Sequence, residues 1–302
     1  MSLDDPNDDS LARLNRQGFL PAASEDEAGY RARARDLVAW SARLRDTPLE
    51  IAGFGSLRPE DRLDEAELVR LGGPARARYG ILPAWVPAYY RDRGLPWLTG
   101  GMAVSLEEGP ENSARTFFQF KSVYRTRPRW WLYSAEEIAS HEMCHVARAP
   151  LMSRRYEESI AYGLSASALR RWLGGALVHP RDGTLILGGL AWMIACDLTR
   201  LFFDAGPELA FSIIGKGPIL LLIALGLTRN LRLRGELARC RRVLARFFGP
   251  RSEEVLFRLA DEEIQALARL DPREFPTWWS GRPDFRGTWL RSLYPLDSPP
   301  PA

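Results

Sequence analysis

Two long apolar stretches set the first limit on the fold. Thr184–Phe203 reads TLILGGLAWMIACDLTRLFF and Leu209–Thr228 reads LAFSIIGKGPILLLIALGLT, with only Asp-Ala-Gly-Pro-Glu between them. As a helix, a stretch of this length extends ~30 Å, the thickness of the hydrocarbon core of a bilayer. Asp197 and Arg200 interrupt the first stretch, and Lys216 and Pro218 the second. Charges at bilayer depth are costly and usually face protein or water, so the competing reading is a buried helical hairpin in a soluble protein. The flanks favour the membrane. Arg170, Arg171 and Arg181 precede the pair, Arg229, Arg232 and Arg234 follow it, and the turn carries only Asp204 and Glu208. By the positive-inside rule both ends of the hairpin then stay in the cytoplasm. The expectation is two spans in the inner, cytoplasmic membrane, with the termini and any site upstream on the cytoplasmic side.

Such a site is visible in Ser134–Arg148, SAEEIASHEMCHVAR. The chain has three His, and two of them, His141 and His145, bracket the pentapeptide HEMCH. On a helix, residues i and i+4 share one face, so both imidazoles reach one metal ion. Glu142 lies about 100° round the helix, where it can touch a water at the metal without being a ligand. Ser134 with Glu137 forms a capping-box pattern, and Pro150 stops the helix. The competing reading is a chance match on a buried helix. A metal also needs a third protein ligand. Pro150–Ser153 reads as a turn and a second helix is expected to start near Ser153, carrying Glu157 and Glu158 opposite the two His. The alternative for either Glu is a solvated charge on a helix face.

The pentapeptide followed by Glu158-Ser-Ile-Ala161-Tyr162 resembles the Glu-ligated zincins, or gluzincins, many of which carry their third ligand in an E-x-x-A context followed by Asp or Asn. The likeness spans Ser134–Ser165, and the chain is also similar to uncharacterised H-E-x-x-H membrane proteins of bacteria. The resemblance implies Zn²⁺ held by His141, His145 and Glu158, with Glu157 in reserve. It implies Glu142 as general base and a peptide or protein as substrate. Tyr162 stands where the family has Asp or Asn, and its hydroxyl is the candidate for holding an oxyanion. The alternative is a non-catalytic membrane scaffold or partner-binding protein with a degenerate or structural zinc site. Structural sites are closed by four protein ligands, and Cys144 is the one soft candidate nearby. It lies about 60° from His141 on the wheel, where a buried, small apolar role is the simpler one.

Composition adds exclusions. A net charge of +3 gives no pull toward nucleic acid. Three scattered Cys (144, 196 and 240) argue against a disulfide framework and suit a reducing compartment. Lys occurs only at 121 and 216, which reads as a GC-rich coding sequence rather than a role for Arg. There is no phosphate-binding loop, dinucleotide fingerprint or C-x-x-C, and His179 reads as a loop residue.

The resulting expectation is an α+β, mainly helical chain: a zincin-like metal-binding helix pair with a small β-sheet, plus a two-helix transmembrane hairpin. Residues 1–24, polar and unlike a signal peptide, are expected to be a mobile tail. Residues 25–182 form the zincin-like region, with helices over Glu25–Asp46 and Pro59–Leu71 and a packed aromatic loop over Ile81–Leu98 that can wall a cleft. Strands are expected at Gly100–Leu106 and Thr116–Tyr124, joined by a turn at Gly109–Asn112. The second is the candidate edge for extended substrate, its alternative being an ordinary small sheet. Residues 183–229 form the hairpin. Residues 230–302 form a helical C-terminal region, beginning with a basic amphipathic helix, Leu231–Phe248, that either lies on anionic lipid or presents a solvated Arg face.

Overall fold

The computed structural model describes residues 8–97, 99–106, 115–174, 180–203 and 208–296. It is mainly helical, with small sheets. The expected turn at Gly109–Asn112, His179 and most of the turn between the apolar stretches lie outside these residues.

The N-terminal segment corrects the expectation of a mobile tail from Asp8 onward. Helix α1, Asp8–Arg16, buries Leu11 and Leu14, and Phe19 and Leu20 follow them into the main core. Three long side chains hold this stretch by its carbonyls: Tyr30 bonds Phe19, Arg33 bonds Leu20 and Arg286 bonds Pro21. Helix α2, Glu27–Arg43, starts on Asp26, whose carboxylate accepts from the Gly29 amide at 2.7 Å. A small hairpin, β1 (Leu49–Ile51) with β2 (Gly55–Leu57), follows. The helix expected over Pro59–Leu71 is broken: a 3₁₀ turn spans Pro59–Asp61, and α3, Glu65–Leu71, restarts on an Asp64 cap. Helix α4, Gly73–Tyr79, completes this layer.

Inside the aromatic loop lies a short strand, β3 (Ala88–Tyr90), that the sequence pattern did not reveal. With β4 (Gly101–Leu106) and β5 (Arg115–Phe120) it forms a sheet in the order β3-β5-β4, parallel on one side and antiparallel on the other. Alternation along β5 follows the two-residue period of a strand. Phe118 and Phe120 face one apolar cluster, and Phe117 faces another with Trp40, Leu44 and Leu57. The central strand is therefore β5, which corrects its reading as the substrate edge. Among the described residues β4 pairs only with β5 and has the free edge.

A two-residue turn joins β6 (Arg129–Trp130) to β7 (Tyr133–Ser134) and leads into α5, Ala135–Arg148. Helix α6 is short, Glu157–Ala161, and α7 spans Ala168–Leu173. The start of α6 differs from the expected Ser153 for a clear reason. The amides of Arg154 and Arg155 each donate to the buried Asp261 carboxylate at 2.7 Å, so they are spent outside the helix.

Helices α8, Pro180–Phe203, and α9, Glu208–Phe248, include the two apolar stretches, and both are long and apolar enough to cross a membrane. Leu187, Leu201 and Phe202 are about 70–76 % exposed, as are many of their neighbours to a lesser degree. The two helices approach at small residues: Gly189 packs on Ile219 and Cys196 on Gly215. Pro218 has no N–H, which deprives the Ile214 carbonyl of its helical partner. Trp192 of α8 supplies a replacement, its indole N–H donating to Ile214 O at 3.0 Å. At the base, Arg229 pairs with Asp182 at 2.6 Å.

Helix α9 continues without a break into the body, ~60 Å in all. Its second half buries Leu233, Leu237, Cys240, Val243 and Leu244 against α10 (Ser252–Phe257) and α11 (Asp261–Arg269). Protein covers the apolar face that a lipid-lying helix would have needed, which removes that reading of Leu231–Phe248. Helices α12 (Phe275–Ser280) and α13 (Phe285–Leu293) close the main core with Phe275, Trp279 and Trp289.

Candidate metal centre

Helix α5 serves three surroundings, because successive residues turn by about 100°. Ile138, Ala139 and Met143 pack on the sheet cluster, while Cys144 and Ala147 pack into the main core. His141, Glu142 and His145 take the remaining side. Only half of the expected capping box forms: Ser134 Oγ accepts from the Glu137 amide at 3.1 Å, but the Glu137 carboxylate turns to Arg170 at 2.9 Å.

The two imidazoles converge. His141 Nε2 and His145 Nε2 are 3.0 Å apart. Glu158, on the first turn of α6, brings Oε2 to 3.7 Å from His141 Nε2 and Oε1 to 3.6 Å from His145 Nε2. These three residues can hold a metal ion, and among the described residues no fourth His, Cys, Asp or Glu joins them. Two nitrogens bound tetrahedrally at ~2.1 Å would sit roughly 3.4 Å apart, close to the three separations observed. The position of α6 is fixed from outside: Asp261 holds the residues before it, and Tyr79 Oη donates to Ile160 O at 2.7 Å.

Glu157 plays a different part from Glu158. Its Oε1 lies 3.1 Å from His145 Nδ1, and its Oε2 accepts from Arg148 Nε at 2.8 Å. Holding Nδ1–H orients the ring of His145 and turns its Nε2 toward His141 and Glu158. Arg148 is fully buried and also donates to the Phe257 and Leu259 carbonyls of the C-terminal region. Sequence spacing leaves the two glutamates interchangeable, and the geometry separates them. The usable signal is that adjacent helical residues point about 100° apart, so one of them must look away from the His pair.

Burial and close neighbours shift the cluster's groups in opposite directions. Burial first, then the neighbouring His145, lower the pKa of His141 to about 3, with the Ala161 backbone carbonyl opposing them. Burial also disfavours a charged His145, but Glu157, with Glu142 and Glu158 behind it, outweighs burial and lifts the group to about 9. Burial raises Glu158, and Glu157 adds to the effect. Burial opposes the charged form of Glu157 too, yet Arg148 and His145 hold its pKa below the usual carboxylate range. The burial of Cys144 pushes its thiol well up and leaves it in the core, away from the ligand set.

Glu142 lines a cavity of about 270 Å³ together with His141, Tyr162, Tyr133 and the Thr99–Gly101 segment. Its Oε2 accepts from the Ala103 amide on the free edge of β4 at 2.8 Å. Burial raises its pKa, against the lowering effects of His145 and the Ala103 amide. The glycines at 100 and 101 allow β4 to come this close. A Cβ on either would lie within 2.8 Å of the Ile138 side chain. Tyr162 packs its ring 4.6 Å from that of His141, centroid to centroid, and burial raises its hydroxyl to about 12. The hydroxyl therefore keeps its proton and is a donor. The cavity takes no lining from Ile81–Trp97. Residues 81–90 pack inward instead, with Trp85 stacked on Phe19 at 4.7 Å.

Comparison with protein-family models, curated proteins and solved structures gives no match for this chain.

Proposed function

We propose that this chain is a membrane-anchored zinc metallopeptidase. What supports the reading is one convergence: His141 Nε2, His145 Nε2 and the Glu158 carboxylate lie within 4.8 Å of one another, and the half-buried Glu142 lines a cavity beside His141. The cavity stays open, whereas structural zinc sites are closed by a fourth protein ligand. Zinc bound there would polarise a peptide carbonyl and make water acidic enough to lose a proton near neutral pH. Glu142 accepts that proton on the carboxylate and returns it to the leaving amine. The Ala103 amide holds Oε2, leaving Oε1 for the transfer. Tyr162 donates its hydroxyl to the developing oxyanion. Glu157 keeps His145 turned to the ligand point throughout.

The hairpin anchors this site to the inner membrane. Arg170, Arg171 and Arg181 on one side and Arg229, Arg232 and Arg234 on the other support a cytoplasmic side for both ends by the positive-inside rule. The test is Glu142→Gln in the purified full chain. It is expected to keep its metal and lose peptide hydrolysis by ~10²–10⁴-fold, the usual weight of a general base. Undiminished hydrolysis in that variant would remove the mechanism.

A further inference from the structure

The segments that rim the cavity also carry an exposed apolar patch. Trp97 and Trp131 are 73 % and 68 % exposed, and their rings meet edge to face with centroids 6.3 Å apart. Leu132 is 76 % exposed beside them, and α7 adds Leu169, Trp172 and Leu173. The turn that presents Trp131 and Leu132 is strained: Trp131 has φ +53°, a region where a bulky residue is a genuine outlier. Two-residue turns of this kind favour Gly or Asn. Here the strain holds two large apolar side chains outward, and such strain is a pointer to function.

The patch is tied to the base of the hairpin. Arg170 donates to Leu132 O, joining the turn to α7. Asn230 Nδ2 donates to Trp172 O at 2.7 Å, and Arg234 donates to Arg171 O at 2.9 Å. Both partners lie on α9 just beyond its apolar half, next to the Asp182–Arg229 ion pair. The patch is thus continuous with the level at which the hairpin leaves the body. Exposed Arg127 and Arg129 precede the Trp131 turn and suit anionic headgroups. Trp at an interface keeps its ring in the apolar zone and its N–H in water.

We propose that this patch seats on the bilayer surface. The seating brings the mouth of the metal cavity to the headgroup level. Of the cavity residues, Tyr133 adjoins Leu132, Thr99 lies two residues after Trp97, and Ser165 Oγ accepts from Arg170 of α7 at 3.1 Å. Its substrates are then peptide segments held at the membrane surface rather than chains free in solution. The proposal rests on the membrane reading of α8 and α9.

The experiment uses the full chain with Cys196→Ala, reconstituted in phosphatidylcholine/phosphatidylglycerol vesicles. Spin labels go on Leu132→Cys, Leu169→Cys, Leu187→Cys in the hairpin, and the exposed Arg273→Cys, beside Phe275, which stacks on Phe247 at the end of α9 away from the hairpin. Collision with oxygen is compared with collision with a water-soluble nickel chelate. The proposal expects labels at 132 and 169 to favour oxygen several-fold over the Arg273 site, and less strongly than the Leu187 site. If 132 and 169 match Arg273 while 187 reports lipid, the seating is wrong and the hairpin stands. If 187 also reports water, the membrane reading has failed and this proposal falls with it.

Discussion

Around α5 the charged groups are inside, and along α8 and the first half of α9 the apolar groups are outside. Arg148, with no exposed side chain, is surrounded by Glu157 and two backbone carbonyls, and Glu142 is held by the Ala103 amide. In the hairpin, Leu187 and Leu201 face outward at 69 % and 76 % exposure. A water-soluble protein rarely has a contiguous exposed patch of such size without a partner. Both arrangements give their most costly buried polar groups a partner. In the body, buried charges meet opposite charges or carbonyls. In the hairpin, the carbonyl orphaned by Pro218 meets the Trp192 indole. The difference is the one expected if water surrounds the body and, as proposed, lipid surrounds the hairpin.

The largest stability effect is expected in the body. Glu263 accepts from Arg286 Nη2 at 2.8 Å and from the Ala260 amide at 2.6 Å, and it also pairs with Arg282. Glu263→Gln strands two guanidinium groups and is expected to cost ~3–5 kcal/mol in unfolding measurements in mild detergent. Burial works against the Glu263 carboxylate, but Arg286 and Arg282 hold its pKa below the ordinary range. With a depressed folded-state value, its contribution is complete above the unfolded pKa of ~4.3 and is lost as pH falls through the folded value. The gap between wild type and variant should therefore close in acid below about pH 4. An undiminished gap there would assign the loss to packing instead of charge.

Leu187→Arg sharpens the contrast from the other side. On a water-facing helix such a change alters stability by less than about 0.5 kcal/mol. In a bilayer span it costs ~3 kcal/mol of insertion, measured as the inserted fraction of the full chain. A harmless Leu187→Arg would return the hairpin to a soluble reading. The smallest effect is expected from Trp192→Phe, which removes the donor to Ile214 O and keeps the ring. A loss of ~0.6–1.7 kcal/mol is expected. No change would mean that the Pro218 break is satisfied in some other way.

Local spacing made part of this legible in the sequence. His141, Glu142 and His145 sit on one short helix, so i, i+4 arithmetic was sufficient to bring them together. The apolar stretches were legible for the same reason, since length and composition are local properties. What escaped depends on distant residues. Asp261 delays the start of α6, and Arg148 recruits Glu157 while bonding Phe257 and Leu259, more than a hundred residues away. Strand β3 is only three residues long and pairs in parallel with a strand nearly thirty residues on. In residues 8–24, polar composition hid Leu11, Leu14, Phe19 and Leu20, whose burial depends on Tyr30, Arg33 and Arg286 holding the backbone around them.

The central claim is that Glu158 binds the metal and Glu157 orients His145. Elemental analysis of the full chain, purified without chelators, tests it in wild type, Glu158→Ala and Glu157→Ala. The account predicts about one zinc per chain in wild type and near-complete loss in Glu158→Ala. Glu157→Ala should retain zinc at saturating metal, with affinity ~10–100-fold weaker. No zinc in wild type, or zinc kept by Glu158→Ala and lost by Glu157→Ala, would contradict it.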